Sequence, residues 1–232
     1  SAFSSSNLNL QNTNKFKLEP SSLNDSFYPQ ITFFSNHANQ QIRIDSLESV
    51  RVKSFIIGQG TQENPYLIRN ESDWLLLADS TTSGNDYRNV HFVVNQQIDE
   101  LDFSSQFNLV PVGNLLNPFN GHVDGKGINF NVNLSNNLTY QALFGHVGTH
   151  GQVRNISVSG QLKGGQYTAA IAALNAGLIE SVYNQAQITG TNYTSGIVAY
   201  NTGIVRDAYN RGKITGTNYV GGILAHLQGE LI

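Results

Sequence analysis

Cysteine is absent from the 232 residues, and methionine with it. The first absence excludes disulfides, thiolate nucleophiles and cysteine-based zinc sites together. The second means that the chain opens at Ser1 without an initiator, as a processed or excised segment would. Charge is scarce as well: 13 Lys and Arg stand against 16 Asp and Glu, for a net charge of −3. No basic surface is available to neutralise a phosphate backbone, so nucleic acid is not an expected partner. No apolar run marks a signal peptide or a spanning helix, and this segment is not expected to insert into a membrane. Nor is there a Ser-His-Asp order, a phosphate-binding loop or a dinucleotide fingerprint, and no cofactor is implied.

What is present is uncharged polarity over an adequate core. Hydrophobic residues make up 39% of the chain, enough for one large domain or two small ones, while 28 Asn and 22 Gly supply turn-forming residues that tolerate positive φ. Such a composition suits a β-rich protein with many tight turns. Cysteine-free, low-charge, Asn-rich chains are also common among exported bacterial surface proteins.

The strongest signal is internal repetition. Gly151-Gln152-Val153, Gly177-Leu178-Ile179 and Gly203-Ile204-Val205 follow one another at 26-residue intervals, and the register holds without gaps. Leu162, Ile188 and Ile214 coincide; so do Gly164, Gly190 and Gly216, then Tyr167, Tyr193 and Tyr219, then Ile171, Ile197 and Ile223. Ile188-Thr189-Gly190-Thr191-Asn192-Tyr193 recurs unchanged as Ile214-Thr215-Gly216-Thr217-Asn218-Tyr219. Apolar residues alternate over short runs and never hold helical spacing for long, so each unit reads as two or three short strands joined by Gly and Asn turns. One unit cannot bury its own apolar face, but units stacked at the strand spacing of about 4.8 Å pair their backbones and close a continuous core. Like residues then lie in columns: the three isoleucines inside, Asn175 over Asn201 as an amide ladder, and the tyrosines stacked on one another. The fold expected is all-β, a right-handed parallel β-helix. Gly229-Glu230-Leu231-Ile232 begins a further coil, and an open strand edge there suggests that the parent chain continues.

Residues 58–150 read as irregular lead-in coils, and 151–232 as three regular ones. A turn from Gly58 leads to a strand ending at Ile68. Ser72 is a plausible cap for one short helix around Trp74, and His91–Val94 is a strand. Pro118–Gly121 and Asp124–Gly127 are turn signals, after which Ile128, Phe130, Val132 and Leu134 alternate with asparagines. In residues 1–57, Phe3, Leu8, Leu10, Phe16 and Leu18, then Ile31-Thr32-Phe33-Phe34, Ile42-Arg43-Ile44 and Val50-Arg51-Val52 alternate like edge or sandwich strands, as a β cap over the first coil or a small separate β domain.

The succession Gly60-Thr61, Pro65-Tyr66-Leu67-Ile68, Asp73-Trp74, Pro118-Phe119-Asn120-Gly121 with Asp124-Gly125, Leu143-Phe144-Gly145 and then the Gly-x-Val/Ile units resembles the GLUG-repeat regions of large bacterial surface proteins. Such regions occur in filamentous-haemagglutinin-like adhesins and in stalks of some cell-wall proteases. The resemblance covers roughly residues 58–232. It implies a β-helical rod on a secreted or cell-surface protein and names no ligand. The family's Gly-Gly-Ile stands intact at Gly221-Gly222-Ile223, but is Ser195-Gly196-Ile197 and Ala169-Ala170-Ile171 in earlier units, all small residues.

No residue carries a compelling catalytic or metal role. His146 and His150 have the four-residue spacing of helical zinc ligands, but in Gly-rich turn sequence without the accompanying Glu. His122 and Asp124 could orient one another, although the Asp124-Gly125 turn needs that carboxylate locally. β-Helix lyases and hydrolases gather acids or bases on one face over several coils. Here the array offers only Glu180, Asp207 and Glu230, the first two one register position apart. Asp99, Glu100 and Asp102 suggest a calcium loop or simple hydration. Sequons such as Asn137-Leu138-Thr139 arise by chance in so Asn-rich a chain.

The expected function is therefore a non-catalytic binding or structural segment of a bacterial adhesin, secreted or at the cell surface. Tyr167, Tyr193, Tyr219, Asn192 and Asn218 are the candidate contact residues for a host or neighbouring-cell protein or a glycan. The alternatives are a carbohydrate-active β-helix enzyme or the scaffold of a surface protease. Ice or mineral binding would need a flat threonine array, and Thr189 with Thr215 and Thr191 with Thr217 are too few.

Overall fold

A computed structural model describes residues 57–105 and 109–232, which lie in a compact unit running from Lys53 to Ile232. Apart from Ile57, the segment expected as a β cap or small β domain lies outside the described residues.

The chain winds as a parallel β-helix of about six coils. The first holds β1 (Tyr66–Ile68) and the single described helix, α1 (Glu71–Thr82); the second holds β2 (His91–Val94) and β3 (Glu100–Phe103). Then come β4 (His122–Asp124), β5 (Asn129–Ser135) and β6 (Phe144–Val147), followed by β7 (Gln152–Lys163) and β8 (Ala172–Asn175). The first fully regular coil carries β9 (Leu178–Asn184), β10 (Gln187–Thr189), β11 (Asn192–Ser195) and β12 (Val198–Asn201). Its successor repeats them as β13 (Ile204–Asn210), β14 (Ile214–Thr215), β15 (Asn218–Gly221) and β16 (Leu224–Leu227), and β17 (Glu230–Leu231) starts another. A regular unit thus has four strands, not the two or three the alternation suggested. Gly190-Thr191 and Gly196-Ile197 break what reads as one polar-apolar stretch into separate sides.

Every strand pair is parallel. One sheet runs β1-β2-β4-β7-β9-β13-β17, with β3, β5, β10 and β14 joined to it around the bend of β7; a second runs β6-β8-β12-β16, and β11 pairs β15. The 26-residue register holds strand by strand: Val153 over Ile179 over Val205, Leu162 over Ile188 over Ile214, and Ala172 over Val198 over Leu224. Ile171 N–H donates to the Ile197 carbonyl and Ile197 N–H to that of Ile223, each at 3.1 Å, so the expected isoleucine column exists. Ile171 and Ile197 are fully buried, and Ile223 packs against the same core.

Buried asparagines tie coil to coil. Asn175 Nδ2 donates to Asn201 Oδ1 at 2.7 Å while Asn175 Oδ1 accepts from Gly177 N–H, as the sequence anticipated. A second such ladder, Asn184 to Asn210 at 2.8 Å, stands at another corner. Each amide satisfies turn carbonyls that burial would otherwise leave unpaired, at about 1–3 kcal/mol apiece. The repeated glycines have a different reason from the one composition suggested. Gly177 does not adopt positive φ; a Cβ there would lie 2.2 Å from the Gly151 carbonyl oxygen, and one on Gly203 the same distance from that of Gly177. Only a residue without a side chain lets the coils touch at that corner.

The lead-in coils are filled by aromatics. Trp74 of α1 meets Phe130 and Phe144 edge-on, at ring-centroid distances of 4.7 and 5.5 Å, and all three are fully buried. The helix begins two residues earlier than the Ser72 cap implied, because Asn70 takes that role: its side chain accepts from Asp73 N–H at 3.0 Å. Asp73 is in turn held by Arg69, Nε to Oδ2 at 2.8 Å. Strand β3 pairs only with β5, and at its other edge Glu71 Oε1 accepts the Asp102 N–H at 2.8 Å. Helix α1 thus covers an edge that would otherwise invite another strand.

Replacing Ile197 with alanine empties the middle of a fully buried column and is expected to cost about 2–5 kcal/mol of unfolding free energy. Urea denaturation measures it; a loss far below that range would place Ile197 outside a packed interior.

Candidate functional site

The tyrosines form the column the repeat implied, and it is longer than the repeat. Tyr140, Tyr167, Tyr193 and Tyr219 stack at 5.0, 4.8 and 4.6 Å between ring centroids, with planes within 11°, 2° and 4°. Tyr140 was illegible because it lies 27 residues before Tyr167, outside the 26-residue period; the Gln141–Thr168 bridge carries the same offset. All four have left-handed backbones, with φ of 63°, 54°, 55° and 53°. That conformation costs a non-glycine residue on the order of 1–2 kcal/mol, which ring stacking offsets, on both sides for Tyr167 and Tyr193 and on one side for Tyr140 and Tyr219.

Beside this column runs another. His146, Leu174, Tyr200 and His226 are register partners on β6, β8, β12 and β16. Tyr200 and His226 stack at 4.3 Å, and Tyr200 meets Tyr167 and Tyr193 edge-on at 6.2 and 6.1 Å. Asn218 Nδ2 donates to Asn192 Oδ1 at 2.8 Å, so the candidate asparagines form a third short column next to the tyrosines. The structure therefore brings Tyr167, Tyr193, Tyr219, Asn192 and Asn218 into one surface. Its chemistry differs from a sugar-stacking platform, because ring faces inside the column are covered by neighbouring rings. What the column offers is ring edges and a row of phenols. Burial, and then the neighbouring Tyr193, Tyr140 and Tyr200 phenols, push the Tyr167 hydroxyl up, which keeps it protonated and able to donate.

The other candidates are engaged elsewhere. Glu180 has Arg206, not Asp207, as its register partner, and accepts from its Nε at 2.7 Å. The pair of free carboxylates that a glycosidase needs is not assembled there. Asp124 is buried and accepts from Lys126 N–H and Asn155 Nδ2, both at 2.9 Å, so it closes its turn and does not orient His122. Burial alone would raise its pKa; those hydrogen bonds and Lys126 outweigh burial and hold it below the usual range. His122 instead meets His91 edge-on at 4.4 Å. His146 lies on β6 and His150 in an exposed turn, while Glu100 and Asp102 each bind a side chain of β5, Asn129 and Asn131. Among the described residues no three His, Asp or Glu side chains gather as a metal site.

Sequence reasoning missed a shallow cleft of about 480 Å³ on the β7–β9 face, bounded by Lys126, Asn155, Ser157, Ser181 and Tyr183. Its walls come from three coils, and of these residues only Lys126 belongs to a motif, the Asp124–Gly127 turn.

No family model matches the chain. A Gly-rich membrane protein by description, from Evansella cellulosilytica, is 31% identical over 137 residues, which is 55% of this chain and 15% of that protein. Among solved structures, a protein from Bacteroides ovatus described as a candidate immunoglobulin A1 protease superposes with a TM-score of 0.53 at 15% identity, over 73% of this chain and 55% of its own. At that identity the likeness concerns the fold, a β-helix. The chain thus spans a small part of the first protein and about half of the second. Among the described residues no helix is long and apolar enough to cross a membrane.

Two outcomes follow from this geometry. Tyr193→Asn keeps a residue that accepts positive φ but removes two stacked ring pairs and two edge-on ones, so it should cost about 1–3 kcal/mol and weaken the near-ultraviolet tyrosine circular dichroism; an unchanged spectrum would mean the rings do not stack in solution. Acid sensitivity is the second. Burial, with His91 and Arg154 adding to it, holds His122 below its ordinary value, and burial does the same to His146. The unfolded chain takes up these protons near pH ~6.5, so the fold carries no penalty above that pH and loses stability as pH falls through it towards the folded values. Melting temperature should drop between about pH 7.5 and pH 5.5, and drop less in His122→Asn and His146→Asn; an equal drop in both variants would show that neither ring is held neutral by the fold.

Proposed function

We propose that this chain is a non-catalytic rod segment of a bacterial adhesin of the GLUG-repeat kind, secreted or displayed at the cell surface, where it meets a host or neighbouring-cell partner. The observation that carries the reading is the continuous surface of Tyr and Asn columns, on a scaffold in which Glu180 is paired with Arg206 and Asp124 closes its own turn. Edge-on phenols and side-chain amides form a flat, rigid donor-acceptor face that loses little entropy on contact, which suits a protein or glycan surface. The Evansella relative's description as a membrane protein supports a place at the envelope.

A second reading is the scaffold part of a surface protease, favoured by the fold shared with the Bacteroides protein. In that case the rod would hold a catalytic domain and make no adhesive contact of its own. Beads coated with the purified chain test the two. Adhesion to cultured epithelial or bacterial cells, lost when Tyr167, Tyr193 and Tyr219 are all changed to Asn, is the expected result. Absence of adhesion by the wild-type chain, adhesion unaffected by the triple change, or release of oligosaccharide or immunoglobulin fragments detected by mass spectrometry would overturn it.

A further inference from the structure

The cleft on the β7–β9 face has what the tyrosine column lacks: an aromatic wall without a ring stacked against it. Ser157 and Tyr183 are register partners on adjacent coils, so a small side chain lies directly beside a large one and the ring wall stands above a step. Among the described residues no other ring stacks on Tyr183; its one aromatic-face partner is the Arg211 guanidinium, 5.9 Å from the ring centroid and supplied by the following coil. The side towards the preceding coils opens on the cleft. Ser181, at the rim with φ of 53°, has an exposed hydroxyl with no hydrogen-bond partner among the described residues.

Charge at and beside the other wall is unbalanced; Lys126 lines the cleft and Arg154 lies just outside its lining. Lys126 Nζ and Arg154 Nη2 approach the same oxygen of Asp124, at 3.1 and 3.2 Å. Asp124 Oδ1 is already taken by Lys126 N–H and Asn155 Nδ2. Two cations therefore share one saturated carboxylate, and their half-exposed heads leave about one positive charge facing solvent beside the cleft. Space of about 480 Å³ lies within the range of small-ligand sites and suits one or two pyranose rings.

We propose that this cleft is a subsite for an anionic saccharide of the uronate type. The apolar C–H face of the pyranose packs on Tyr183, its carboxylate binds Lys126 with Arg154 adding positive charge from outside the lining, and the Ser181 hydroxyl meets ring hydroxyls. The proposal rests on the glycan-contacting form of the adhesin reading and moves that contact from the tyrosine column to a different face.

The test is calorimetric titration of the whole chain with tetragalacturonate, and with maltotetraose as the neutral probe. Tetragalacturonate should bind and weaken as salt rises, and maltotetraose should bind at least tenfold more weakly; Tyr183→Ala and Lys126→Gln should each lower uronate affinity by about tenfold. Lys163→Gln, on the exposed end of β7, controls for a general loss of positive charge and should bind as the wild type does. The proposal is overturned if the wild type does not bind tetragalacturonate, if it binds both probes alike, if Lys163→Gln loses as much as Lys126→Gln, or if both cleft variants bind undiminished. Circular dichroism checks that each variant is folded, and Lys126, being exposed, leaves a readable result should Tyr183→Ala fail to fold. Shortened tetragalacturonate in the cell by mass spectrometry would instead sink the non-catalytic reading, so the two failures are told apart.

Discussion

Everything described here depends on backbone pairing between successive coils in a fixed register. A coil of this chain has too little apolar surface to close on itself; its strands are two to seven residues long from β9 onward, and none would persist alone. Pairing with the coils on either side satisfies the backbone and turns each residue position into a column. Once the columns exist, side-chain choice is governed less by intrinsic propensity than by whether a residue can tolerate its own copy about 4.8 Å away. Isoleucine, asparagine, tyrosine and glycine all can, each by a different interaction: packing, amide-to-amide hydrogen bonding, ring stacking, and the absence of a side chain.

This explains an inversion at the turns. Composition suggests that asparagine and glycine occupy the left-handed positions; Asn155 does, but in the regular coils Tyr167, Tyr193 and Tyr219, with Ser181 and Asp207, also take positive φ. Gly177 and Gly203 are needed where neighbouring backbones nearly touch. The strain at the tyrosines is offset by the stacking of their rings, whose planes lie within a few degrees of one another. Column and backbone conformation are one arrangement, which is why the phenols form so even a row.

The array was legible because the period is constant: Ile171, Ile197 and Ile223, and Asn175 with Asn201, could be aligned on paper and lie in contact in space. Legibility failed where spacing varies or where a local hydrogen bond decides: Tyr140 lies one residue out of period, and Asn70 rather than Ser72 caps α1 because its side chain accepts the Asp73 N–H. Glu180 finds Arg206, at the 26-residue interval, rather than a second acid. The cleft was legible only in part. Ser157 and Tyr183 stand at the 26-residue interval, but Lys126 comes from a coil of different length, with Asp124 thirty residues before its partner Arg154, and only the register of β4 with β7 brings it beside them.

The Gly177–Gly151 contact has a consequence for the size of the molecule. Because adjacent regular coils meet through identical corners, one coil can be removed or duplicated and the cut surfaces still match, with every column intact. Such a scaffold changes length in whole steps of about 4.8 Å per 26 residues, so the distance over which it holds its two ends apart is heritable as a copy number and not as a new fold.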